Sequence, residues 1–62
     1  WYFRVIEFAP DKWACRHGDL TFDTHREMAQ AVDHIRTLAA GKQPAELFVH
    51  RLDGTTKNLG TV

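Results

Sequence analysis

The chain has 62 residues, eight basic and eight acidic side chains, and no net charge. One cysteine, Cys15, excludes an internal disulfide and with it the disulfide-rich secreted class. Charges of both signs are interspersed, so no basic stripe marks a nucleic-acid domain, and no apolar run approaches the ~20 residues of a membrane span.

These features predict a single small domain over residues 1–62, without a signal peptide and suited to the reducing cytoplasm. Starting at Trp1 instead of Met is expected of an excerpt of a longer protein or of a trimmed chain. A chain this short buries only about 60% of its unfolded surface, so a staple such as a metal or an oligomeric partner is common.

"WYFRVIEF" at the start is aromatic and β-branched and predicts a strand. Pro10-Asp11 supplies a turn, and "WACRH" predicts a second strand paired to the first as a hairpin. "GDL" is a break, and "TF" is a brief extended piece before a helix. Thr24 stands three residues before Glu27, the spacing of a capping box, with Met28 as its hydrophobic staple. Met28, Ala31, Val32, Ile35, Leu38 and Ala39 then recur at helical spacing, which predicts a helix over 24–40. Gly41 suits the residue after the helix end, and Pro44 prevents its resumption. "AELFVHR" predicts a strand. Asp53-Gly54 predicts a two-residue hairpin turn, and "TTKNLGTV" predicts a last strand that Gly60 weakens or bulges. The expected fold is α+β, in the order ββαββ. It has a mainly antiparallel four-stranded sheet and one helix packed on one face.

Alternation along the strands assigns Phe3, Val5, Trp13, Cys15, Leu47 and Val49 to the helix side. Tyr2, Ile6, Phe8, Ala14 and Phe48 fall on the opposite face, bordered by Arg4, Arg16, Glu46 and His50. A sheet face in water normally alternates more cleanly than this. A contiguous apolar patch rimmed by charge marks an interaction surface.

The order "WYFRV…KWACR…FDTHREM…AELFVHRLDGT" resembles a family of very small bacterial proteins of unknown function. Their pattern is an aromatic-x-V strand, a tryptophan-led second strand, F-x-T-x-x-E-A opening a helix, and E-L-x-V-H-x-x-D-G. The matching positions are Val5, Trp13, Phe22, Thr24, Glu27, Leu47, Val49, His50, Asp53 and Gly54. Met28 and Val32 stand where that pattern has alanine, and Cys15 where it has valine. The resemblance implies a compact ββαββ fold and no particular activity. Residues 1–40 also resemble the arm-binding domains of phage-type integrases, which lay a three-stranded sheet on DNA with one helix behind it. Fold analogy alone does not transfer that function.

Chemistry-bearing residues are sparse. Cys15 and His17 share a strand face, and His50 would complete a nucleophile pair only if it were brought beside them. Cys15 on the core side acts as a small hydrophobe instead. His17, His25, His34 and His50 lack the short paired spacings of a zinc site. His25 and His34, nine apart, do not stack as an i,i+4 pair on a helix. The four glycines are too dispersed to cradle a phosphate. The sequence therefore predicts no catalytic residue, no metal, no cofactor and no small-molecule substrate. It predicts a non-enzymatic protein-interaction or homodimerisation module. Tyr2, Ile6, Phe8 and Phe48 are its anchors, and Arg4, Arg16 and His50 its rim. The alternative is nucleic-acid binding on the same face, where Tyr2, Phe8 and Phe48 could stack on bases. The neutral chain and acidic Glu7 and Glu46 disfavour it.

Overall fold

The computed structural model describes residues 1–61. Six elements follow in chain order: β1 (Tyr2–Ala9), β2 (Lys12–His17), β3 (Leu20–His25), α1 (Met28–Ala40), β4 (Glu46–His50) and β5 (Thr56–Thr61). The strands form one sheet in the order β3-β2-β1-β4-β5. β1 is central. It pairs antiparallel with β2 and parallel with β4, while β2–β3 and β4–β5 are antiparallel. A parallel pair needs a long crossover, and β2, β3 and α1 together supply it.

The class, the single helix and its place on one face agree with the sequence reading. The sheet has five strands where four were expected, because the piece taken as "TF" is the full strand β3. Ala14 pairs with Thr24 and Trp13 with His25, so the ladder continues through the residues expected to open the helix. The helix starts four residues later than 24. Glu27 is its N-cap with extended backbone (φ −123°, ψ 142°), and no side chain caps it. The Thr24–Glu27 capping box is therefore absent: sheet pairing has taken up the backbone around Thr24. Gly41 closes the helix in right-handed geometry (φ −84°), so the left-handed freedom of glycine is not used there.

The core lies between the sheet and α1. Ala31, Ile35 and Ala39, one helical turn apart in succession, are fully buried against Phe3, Val5, Trp13, Cys15, Ala45, Leu47 and Val49. All six strand residues assigned to the helix side are buried. Each Val, Leu or Phe among them contributes ~1.5–3 kcal/mol when taken from water. Small alanines at two of the three seam positions let the helix sit close to the sheet. Val32 and Leu38 flank this seam, whereas Met28 at the first turn is exposed.

Two bulges adjust the edges. On β3, Cys15 faces Asp23 and Arg16 faces Thr21, which leaves Phe22 as the extra residue. Its ring stacks on Phe3, with centroids 6.3 Å apart. On β5, Leu47 faces Gly60 and Phe48 faces Asn58, and the extra residue Leu59 packs on the core. Gly60 has φ +102°, so the bulge foreseen there is present.

The β4–β5 connection is longer than the two-residue turn expected from Asp53-Gly54. Arg51 N–H donates to the Thr55 carbonyl, and Gly54 N–H donates back to the Arg51 carbonyl, both at 2.9 Å. Residues 52–54 thus form the loop, with Gly54 at φ +89°. The Asp53 carboxylate accepts from the Thr55 hydroxyl (2.6 Å) and backbone N–H (2.9 Å), which hold its carboxyl below the ordinary value. A Cβ at position 54 would meet no atom within 4 Å. Gly54→Ala should therefore lower stability through backbone strain alone, by about 1–2 kcal/mol in denaturant unfolding. A synthetic chain with D-alanine at this position should recover the loss; failure to do so would refute the strain account.

Candidate functional site

The helix-free face is built by the even-numbered residues of β1 and β4 and by their partners. Arg4 faces Arg16 on one side and Phe48 on the other, and Ile6 faces Ala14 and His50. The Tyr2 and Phe48 rings lie 6.1 Å apart. Two shallow depressions adjoin on this face. Tyr2, Arg4, Gly18, Phe48, His50 and Thr56 line one, and Ile6, Phe8, Ala14, Arg16, Thr21 and Thr24 line the other. All seven residues singled out from the sequence thus lie on one surface. Tyr2 is 63% exposed and Phe8 49%, while Ile6 and Phe48 are half-buried among their neighbours. Ala14 is buried at the floor of its depression.

The polar groups of this face are only partly satisfied. The Arg4 guanidinium donates to the Gly18 carbonyl at 3.3 Å, and His50 Nδ1 lies 3.3 Å from the Thr56 hydroxyl. Arg16 Nε is buried without a partner, and among the described residues no carboxylate pairs with Arg4 or Arg16. Two arginines directly opposite each other repel, so this part of the face favours a negative group from outside.

Glu7 is on the other side. Odd residues of β1 face the helix, and the Glu7 carboxylate accepts the Leu52 N–H at 3.0 Å. It therefore does not stand on the open face, where it was expected to disfavour nucleic acid. His17 and His50 also lie on opposite sides. The His17 ring packs against both Trp1 (4.9 Å) and Phe3 (4.7 Å) and donates from Nδ1 to the Tyr2 carbonyl. With β1 between β2 and β4, no Cys15–His50 pair forms.

A side-chain cluster that the sequence reading did not foresee lies under the helix. Cys15, Asp23, His25 and His34 bring one ligand atom each to within 4.8 Å of one another. Cross-strand pairing places Asp23 beside Cys15, and His25 follows Asp23 two residues along the same strand face. His34 reaches the cluster from α1. The alternation of Asp23-Thr24-His25 would have shown the shared face, had the segment not been assigned to a helix start. Cys15 is fully buried, and its thiol donates to the Ala31 carbonyl at 3.3 Å. Burial first, and then Asp23 as hydrogen-bond partner and neighbouring charge, push the thiol up to about 12.

No helix of the described residues is long and apolar enough to cross a membrane. No curated protein and no solved structure matches the chain.

Cys15 should resist iodoacetamide in the native protein and react freely in denaturant. The ordinary thiol value is 9.0, and the folded state favours the neutral form. Its stabilising contribution is therefore complete below that value and declines as pH rises toward 12. With EDTA present, unfolding midpoints of the wild type should fall more steeply over that window than those of Cys15→Val. Parallel curves would refute this.

A family pattern described as an uncharacterized protein conserved in bacteria (DUF2188) matches residues 3–58, nearly the whole chain, so this chain belongs to that family.

Proposed function

We propose that the domain is a non-enzymatic protein-interaction module that self-associates through the helix-free face of its sheet. The observation that carries this reading is the contiguous apolar strip of Tyr2, Phe48, Ile6 and Phe8, over which no element of the described chain lies. Aromatic residues at the centre of such a patch tend to dominate binding. Five strands at about 4.8 Å spacing give a face roughly 20 Å across, enough for a small interface. A second copy is the partner that the charges suit best. Glu46 lies on β4 beside Tyr2, and Arg4 and Arg16 lie on β1 and β2. A two-fold contact can set the carboxylate of each copy against the arginines of the other. The free thiol of Cys15 suits a reducing compartment, which supports a cytoplasmic setting.

One observation favours a second reading, nucleic-acid binding on this face. Among the described residues the Arg4–Arg16 pair has no acidic partner, and it adjoins the Tyr2–Phe48 rings. Salt separates the two, because contacts to phosphate weaken steeply as salt rises.

Light scattering over a range of concentrations tests the proposal. The wild-type mass should double as concentration rises, with little dependence on salt. Phe48→Glu and the more exposed Tyr2→Glu should keep the native circular dichroism and weaken association about 30-fold or more. A wild type that stays monomeric throughout would overturn self-association. Salt-sensitive binding to an oligonucleotide would favour the second reading.

A further inference from the structure

We propose that Cys15, Asp23, His25 and His34 form a structural zinc site that clamps β2, β3 and α1 together. The four side chains present one sulfur, one carboxylate oxygen and two imidazole nitrogens, a donor set that suits tetrahedral Zn²⁺. Bonds of about 2.0–2.3 Å to such an ion place its ligand atoms roughly 3.3–3.8 Å apart. The present atoms lie within 4.8 Å of one another. The widest pair must close by about 1 Å, and the two Asp23–histidine contacts must open slightly, both by side-chain rotation. Asp23, His25 and His34 have room to make them, because each side chain is partly exposed.

A second observation points to a ligand at this place. Asp23 Oδ1, His25 Nε2 and His34 Nδ1 are buried atoms without a hydrogen-bond partner. His25 Nε2 lies 3.1 Å from Asp23 Oδ1, and His34 Nδ1 touches Asp23 Oδ2. The atoms are close enough to bond, but the geometry is not that of hydrogen bonds. Polar atoms buried unpaired are costly, and a cation at their point of convergence would satisfy all three together. Coordination by Cys15 requires the thiolate, so its proton passes to solvent as the ion binds. All four positions are then taken by protein, as in a structural site and not a catalytic one.

The location also has a physical rationale. β3 is an edge strand and shows mostly exposed residues. It carries two of the four ligands, β2 carries one and α1 carries one. A 62-residue chain without a disulfide gains most from a cross-link of this kind. No local spacing in the sequence shows it, since the ligands come from three elements. The site lies on the helix side of the sheet and does not depend on the self-association reading.

The test uses the full chain stripped with a chelator, then titrated with Zn²⁺ by calorimetry and with Co²⁺ by absorption. One ion should bind per chain. Co²⁺ should give tetrahedral visible bands and a near-ultraviolet thiolate charge-transfer band, and Zn²⁺ should raise the melting temperature. His34→Gln, on an outer helix position, should keep the fold and lose affinity at least about tenfold. Cys15→Val should abolish the charge-transfer band. His17→Gln and His50→Gln should bind like the wild type. No thiolate band, no melting shift, or equal losses in His17→Gln and His34→Gln would overturn the proposal.

Discussion

Pairing on both sides of β1 is the constraint on which the rest of the structure depends. This strand hydrogen-bonds to β2 and to β4, so its residues have the fewest alternatives. Phe3 and Val5 are nearly sealed from water beneath Ala31 and Ile35. A shift of one residue would turn both into solvent and bring Arg4 and Ile6 under the helix. Burying an unpaired guanidinium there would be prohibitive. The register of one strand therefore decides the chemistry of both faces of the sheet. The parallel pairing with β4 also obliges the chain to cross over, and that crossover places α1 and β3 against each other.

Each side of the sheet then meets a different need. The helix side holds a core of modest size, limited by the alanines that let α1 approach closely. Its weakest margin is at β3, an outer strand whose bulge turns Phe22 and Asp23 toward the helix. Here polar side chains converge where apolar ones would otherwise have extended the core. No element of the described residues covers the opposite side. Its apolar residues are contiguous, and among the described residues no carboxylate pairs with its two opposed arginines. Such an arrangement is stable as an isolated surface only at some cost, which binding would relieve.

The chain belongs to an uncharacterized bacterial family, and the two features that stand out on it are an apolar sheet face and a cluster of Cys15, Asp23, His25 and His34. The surface needs only regular strands, whereas the cluster also uses the β3 bulge at Phe22, which turns Asp23 toward the helix. The surface arises from strand alternation in a chain whose alternate residues are chemically distinct on each side.

The sequence alone determined whatever depends on neighbours along the chain. Alternation in β1, β2 and β4 sorted Phe3, Val5, Trp13, Cys15, Leu47 and Val49 from Tyr2, Ile6, Phe8 and Phe48. Helical spacing marked the Ala31–Ile35–Ala39 seam, and Gly60 marked the bulge near the end. Tertiary structure decided whatever depends on partners far away in sequence. Thr24 and Glu27 have the spacing of a capping box, but pairing with Ala14 offered the Thr24 backbone a ladder, and β3 ran on through His25. The same pairing put Asp23 beside Cys15, while the crossover delivered His34 to them. Local spacing can report a helix face or a strand face, because both are set by bonds within a few residues. It cannot report a meeting of three elements, because that is set by which strand pairs with which.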